Sequence, residues 1–354
     1  VPETPSARVL IVGAGIAGLT AARALEAGGV RVFVIDKGRG VGGRIATRRL
    51  SDGRAYDHGA LRFNADDGPV GSLVASWEAD GIVARVCGGE HPRWRIVGPA
   101  TGLPKRLAEG LSVETGARVI ALRRRGDFLE ADLENGRMIA SAGAIVTCPV
   151  PQTLALLDAG GLTSGIAKPL LEELRRVSYE PGLVLLLRLD RRLDGFSQDA
   201  VVELRNGGAV ARILENAGPD EDGPSRLSVY ARGTFARDAF GREDVDIAAA
   251  LLEGARDGIP SLRGAAVVES ELKRWRYARA ELPVEELAPS LTRSGAPAIL
   301  CGDAFGAPSP RFSDGGADGI ARSIRSGLAA AARLRGVVRP ARLAVRGVGA
   351  GRRR

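Results

Sequence analysis

The chain has 354 residues, 45% of them apolar and 26% charged, enough to bury a full core and unlike a wholly disordered chain. Its formal charge of +8 suggests nucleic acid until it is located: residues 336–354 carry six arginines and no acid, leaving a body at about +2. The basic tail is therefore read as a solvated extension, and neither a nucleic-acid partner nor a membrane span is expected, because the aliphatic stretch 183–187 falls far short of the roughly 18 residues a span needs.

Residues 8–12 read as a buried, parallel-type strand, β-branched and ended by Gly13. A helix is predicted over 16–27, rich in alanine and leucine and closed by Gly28-Gly29, and a second strand over 30–35. These make one βαβ unit, with Gly13-Ala14-Gly15-Ile16-Ala17-Gly18 at its first turn and Asp36 at its end. Gly13 allows the tight turn, Gly15 lets the backbone approach a pyrophosphate, and Gly18 lets helix and strand pack closely. Asp36 stands where a carboxylate accepts both hydroxyls of an adenosine ribose. Ordinary glycine turns are the bland alternative, but strand, helix, second strand and acid all fall in place for a dinucleotide site.

The stretch 37–60 reads as polar and irregular. Within it, Lys37 follows Asp36, and Gly42-Gly43-Arg44 offers a second backbone approach to the pyrophosphate with a planar cation for a phosphate. Asp57-His58-Gly59-Ala60-Leu61 offers another close approach, after an acid. A helix is predicted over 103–111, strands over 113–122, 128–133, 138–140 and 144–146, the last ending at Thr147-Cys148-Pro149. Beyond 150, long strands (183–189, 201–204, 227–230, 267–272) alternate with helices (170–176, 244–256) as a second, mixed-sheet unit. A strand at 298 then runs into Gly302-Asp303, and a helix over 319–334 follows Gly315-Gly316-Ala317-Asp318-Gly319. Asp303 can hold ribitol hydroxyls or a phosphate-linked water, and the helix start at Gly319 and Ile320 faces the pyrimidine edge of an isoalloxazine, where hydride addition leaves negative charge. Asp318 reads as the helix N-cap rather than a catalytic acid. Together the two ends ask for one extended FAD.

The fold class is thus α/β: a Rossmann-type FAD-binding unit with an inserted α+β substrate unit. The expected boundaries are 1–60, 95–150 and 292–335 for the first, 61–94 and 151–291 for the second, and 336–354 for the tail. His58 and His91 are the only histidines, and Cys87, Cys148 and Cys301 lack paired spacing, so neither a metal site nor a disulfide framework is expected. The polar, proline-bearing start lacks the plan of a signal peptide, and a cytoplasmic location is expected.

The run 36–44, Asp57-His58-Gly59-Ala60, Thr147-Cys148-Pro149-Val150-Pro151-Gln152, Lys273-Arg274-Trp275-Arg276-Tyr277-Ala278, Cys301-Gly302-Asp303 and Asp318-Gly319 occur in the order that resembles the renalase branch of the amine-oxidase-like flavoproteins. That resemblance covers residues 8–334. It implies non-covalent FAD in a p-hydroxybenzoate-hydroxylase-like fold, oxidation of isomeric dihydro-NAD(P) and reoxidation by molecular oxygen with release of hydrogen peroxide. It also implies cofactor contacts at Val119, Thr147 and Ile320. The family pattern after Ala60 continues with Gln and an aromatic residue; Leu61-Arg62 departs from it, which bears on the substrate more than on the cofactor.

No general base is expected, because a flavin carries hydride chemistry itself. Arg62 either neutralises an anionic substrate or makes a structural ion pair. Trp275 and Tyr277 line the substrate site or pack in the core, and His58 either touches the flavin or packs its loop. Two alternatives stay open beside the dihydronicotinamide oxidase: an amine oxidase or other small-metabolite oxidoreductase, for which an aromatic content of 4% is poor, and a non-catalytic flavin-binding protein.

Overall fold

The computed structural model describes residues 8–65, 68–86, 93–194, 201–205, 208–216, 223–292, 295–307 and 318–338. Its centre is the strand Val9–Val12, buried on both faces, in a five-stranded parallel sheet ordered Ala298–Leu300, Gly143–Val146, Val9–Val12, Val32–Ile35, Val113–Glu114. Side chains alternate across this sheet. Val9, Ile11, Val34, Ile145 and Ile299 join one core with the helices Ile16–Ala27 and Asp318–Arg335, while Leu10, Val12, Ile35, Ala144 and Leu300 join a second core. The second core is closed by an antiparallel sheet (Val119–Arg125, Phe128–Leu133, Met138–Ser141) and by the helix Val150–Ala159. Continuous apolar strands are what a sheet covered on both sides requires.

Two expectations need correction. The stretch 113–122 is not one strand: Gly116, at φ +71°, breaks it into Val113–Glu114 of the parallel sheet and Val119–Arg125 of the antiparallel one. Nor is 37–60 irregular throughout, for Thr47–Arg49 and Ala55–Asp57 pair as a hairpin with Tyr56 wholly buried beneath it. A single buried tyrosine among polar neighbours leaves no alternation to read. Residues 61–94, expected in the substrate unit, form strands Arg62–Asn64 and Val83–Val86 and the helix Pro69–Ala79, and place Phe63, Val74 and Trp77 in the core with Ile11 and Leu19.

The second unit, expected to hold a mixed sheet, has instead a five-stranded sheet whose pairings are all antiparallel, ordered Val201–Glu203, Val210–Glu215, Arg226–Ala231, Tyr179–Leu189, Val267–Ala280. One face buries Leu183, Leu185, Leu187, Ile213 and Val229 under the helix Asp244–Gly258. The other turns Val184, Leu186 and Tyr230 toward Leu50 and Tyr56 of the hairpin. That second face meets the parallel-sheet unit, and the site lies along it. Among the described residues, no helix is long and apolar enough to cross a membrane.

Candidate active site

The first turn is built by exclusion. A Cβ on Gly13 (φ +112°) would lie 2.1 Å from Thr147 Oγ1, and one on Gly18 would lie 2.1 Å from the Gly13 carbonyl oxygen. Over Gly15, by contrast, a Cβ would meet nothing within 4 Å; the space there is open. Gly15 also caps the helix Ile16–Ala27 with no side-chain hydrogen bond and no acid in the first turn, so its N–H groups and positive dipole end stay available for an anion. Gly42 bridges to Gly15, and Gly43 approaches so closely that its Cβ would lie 3.3 Å from Gly15 Cα. Two backbone segments thus face one slot.

Asp36 closes the adenosine end. Its Oδ2 accepts the Ala14 N–H at 2.6 Å and its Oδ1 the Gly38 N–H at 2.6 Å, which fixes the carboxylate while each oxygen keeps a lone pair. Lys37 donates to Gln152 Oε1 at 3.0 Å. Thr147 Oγ1 donates to the Val12 carbonyl at 3.1 Å. Arg44 and Asp303, read separately as phosphate and ribitol partners, are brought together: both Nη atoms reach the carboxylate, each at 2.6 Å. Burial works to lower the Arg44 pKa, but the adjoining Asp303 carboxylate outweighs it and holds it above the ordinary value.

The loop after Ala55–Asp57 is clamped from two sides. His58 N–H donates to Ala46 O (3.0 Å) and Ala60 N–H to Arg44 O (2.9 Å), and Gly59 leaves no room for a side chain beside Arg44 O. From the antiparallel sheet, Asn216 Oδ1 accepts the Asp57 N–H (2.8 Å), the Tyr230 hydroxyl donates to the carbonyls of Asp57 (3.0 Å) and Gly59 (3.3 Å), and Trp275 Nε1 donates to that of His58 (2.9 Å). Trp275 also stacks on the His58 ring at 5.3 Å, 24° from parallel. Burial, with Lys273 and Arg48 nearby, pushes the His58 pKa down to about 4, so the imidazole is neutral at neutral pH. Burial raises the Asp57 carboxyl, against hydrogen bonds from Thr47 and Ala100. Asn216 and Tyr230 escaped sequence reasoning; alternation along 227–230 puts Tyr230 on a face without saying what it meets.

All of this surrounds one cavity of about 1640 Å³, beyond the ~300–1,000 Å³ of an ordinary small-ligand pocket. Its walls include Gly13, Gly15, Ile16, Ala17, Asp36, Lys37, Gly43, Arg44, Gly59, Ala60, Leu61, Val119, Thr147, Gly302, Asp303, Gly319 and Ile320, and also His58, Arg62, Trp275 and Tyr277. Gly18 is not among them; it lies beneath the turn. Tyr277 packs edge-on to Tyr179 at 5.3 Å, and its carbonyl accepts from Arg44. Among the described residues, nothing lies within 4 Å of where a Cβ on Gly319 would stand. Residues 315–317 and the side chain of Asp318 lie outside the described residues, as do Cys87 and His91. Burial pushes the Cys148 thiol up to about 11 and raises that of Cys301, so neither is an anion at neutral pH. Among the described residues no cluster suits a metal ion.

Among the described residues the lining is strongly cationic: thirteen lysines and arginines against three carboxylates. Each carboxylate already has partners, Asp36 in backbone N–H groups, Asp303 in Arg44, and Glu180 in Arg279 at 2.6 Å.

Comparison with known proteins agrees with this architecture. Residues 11–77 match the NAD(P)-binding Rossmann-like domain, and residues 73–335 match the flavin containing amine oxidoreductase family. An L-amino-acid oxidase of Siganus canaliculatus is 45% identical over 62 residues, 17% of this chain and 12% of the relative. Lysine-specific histone demethylase 1 homolog 3 of Oryza sativa subsp. indica is 36% identical over 90 residues, 25% of this chain and 10% of the relative. The chain thus matches only a small part of either protein's length. Among solved structures, wild-type putrescine oxidase bound to putrescine superposes with a TM-score of 0.68 at 14% identity, covering 93% of this chain and 98% of that one, a likeness of fold.

Proposed function

The chain belongs to the flavin-containing amine oxidoreductase family, and from that premise we propose that this FAD-dependent oxidoreductase is a renalase-like oxidase of an anionic, dihydronicotinamide-type donor. The observation that carries the choice of donor is the cavity's charge, thirteen cations against three carboxylates that already have partners. A cationic amine would be repelled there, and an anionic dinucleotide drawn in.

We propose the p-hydroxybenzoate-hydroxylase-like division of the chain with one change, 61–94 going to the FAD-binding unit whose core it shares, and FAD held non-covalently between Asp36 and Ile320. The donor set fits that cofactor: an uncapped helix start under open space at Gly15, a fixed carboxylate at Asp36, and, among the described residues, open space again over Gly319. Bound there, FAD would supply two-electron chemistry, accepting hydride from the donor and passing its two electrons and proton, with one more proton from solvent, to oxygen as hydrogen peroxide. The chain's own residues bind and orient. Gly13, Gly15 and Gly43 admit the pyrophosphate, Asp36 the adenosine ribose, and Gly302 and Asp303 the ribitol segment. Loop 57–61, clamped by Tyr230 and Trp275, would hold the isoalloxazine end in place. Trp275, Tyr277 and the neutral His58 offer flat, uncharged surfaces for a dihydropyridine, with Arg62 near its charged end.

The amine reading rests on the family and on what its named relatives oxidise. Turnover in air separates the two: peroxide is expected with 2- or 6-dihydro-NAD and not with putrescine or an L-amino acid. Peroxide from the amines alone would replace the proposal with the second reading.

A further inference from the structure

Arg212 gives the cavity a cation that the fold positions but does not neutralise. The register of the antiparallel sheet aligns Glu203, Arg212, Tyr230, Val184 and Lys273 in one row across its five strands. Cross-strand partners share a face, and Tyr230 shows which face it is, since its hydroxyl reaches the carbonyls of Asp57 and Gly59. The Arg212 guanidinium lies 5.2 Å from the centroid of the Tyr230 ring, and that ring is pinned at its hydroxyl end. A guanidinium held over a ring does not engage all five of its N–H groups in that contact, so a fork for a carboxylate or phosphate remains.

Four other cavity arginines already have an acid: Arg44 has Asp303, Arg118 has Glu134, Arg274 has Asp244, and Arg279 has Glu180. Among the described residues Arg212 makes no ion pair, although Glu203 is its cross-strand partner. It lines the same cavity as His58, Trp275 and Tyr277. An exposed cation held in this way lacks its counter-charge until an anion arrives.

Resting on the reading of an anionic donor, we propose that Arg212 receives an oxyanion of the substrate, carboxylate or phosphate, and so sets the preference of this site for anionic over uncharged forms of the same ring. Two ligand pairs isolate that oxyanion: nicotinate against nicotinamide, and nicotinamide mononucleotide against nicotinamide riboside. Each is titrated calorimetrically into the holoenzyme, its Arg212→Ala and Arg212→Gln variants, and Arg85→Ala, which removes an arginine covering Trp94 away from the cavity.

The expected result is that the wild type prefers the anion of at least one pair by about tenfold or more. Both Arg212 variants should lose that preference with the uncharged or dephosphorylated partner unchanged, and Arg85→Ala should keep it. The pair that responds identifies carboxylate or phosphate as the group read. The proposal is overturned if the wild type shows no preference in either pair, or if either Arg212 variant folds and retains it. The donor reading is judged separately in the same samples: no anaerobic loss of flavin colour with 2- or 6-dihydro-NAD removes that reading while leaving any anion preference intact.

Discussion

The two sides of the cavity are made from different materials. The parallel-sheet side offers backbone at its centre, where Gly13, Gly15, Gly42 and Gly43 leave space and N–H groups, with charge around it from Asp36, Lys37, Arg39, Arg44, Lys105, Arg118 and Asp303. The antiparallel side is side chain: Tyr230, Trp275 and Asn216 reach across to hold loop 57–59, and Arg212 and Tyr277 furnish the wall. Backbone recognition suits a group common to every dinucleotide, because N–H positions do not change with sequence. A side-chain wall can change residue by residue and leave the cofactor in place. On the proposed function, the glycine turns of one side serve the cofactor and the side-chain wall of the other serves the donor.

Substitutions on the backbone side should have the largest effect. In Gly18→Ala the new Cβ would stand 2.1 Å from the Gly13 carbonyl oxygen, so the turn itself must move. Overpacking of about 1–3 kcal/mol at that point predicts FAD affinity lower by up to about 100-fold, read as loss of yellow colour on dialysis. Arg44→Ala leaves Asp303 buried without its bidentate partner. Removing one member of a buried pair costs about 3–5 kcal/mol, and the partial exposure of Arg44 puts the expected loss near the lower figure in a denaturation series.

The junction between the sides responds to pH. His58 is held near pKa 4, below the roughly 6.5 of an unfolded histidine. The unfolded chain therefore binds the extra proton between those values, and the contribution is full above pH 6.5 and lost as pH falls toward 4. At most about 3 kcal/mol is involved. Asp57, raised by burial, acts with the opposite sign. Melting temperatures at pH 7 and pH 5 should differ less in His58→Gln than in the wild type; an equal difference would show that the imidazole is not held neutral. Tyr230→Phe should cost the least, about 1 kcal/mol for its bonds to the Asp57 and Gly59 carbonyls, and should shift the visible flavin spectrum without loss of the cofactor.

The same contrast governs what could be read in advance. The glycines at 13, 15 and 18 and the acid at 36 act within one βαβ unit, so their spacing carries their roles. Arg44 and Asp303 both line the cavity, but their pairing links positions 259 residues apart. No local pattern announces that. Tyr230 and Asn216 lie on strands whose partners are set by sheet register, so the face they share with Arg212 emerges only from the pairing. The hairpin at 47–57 shows no alternation because Leu50 and Tyr56 alone within it are buried, and the break at Gly116 is masked by a valine on either side, Val113 and Val119.

The claim that the wall's charge selects the donor is tested most directly by the ionic-strength dependence of flavin reduction under anaerobic conditions. The account predicts second-order reduction by 2- or 6-dihydro-NAD that slows as salt rises, with putrescine leaving the flavin oxidised throughout. Faster reduction by putrescine than by either dinucleotide, or a rate with the dinucleotide that climbs with salt, would contradict it.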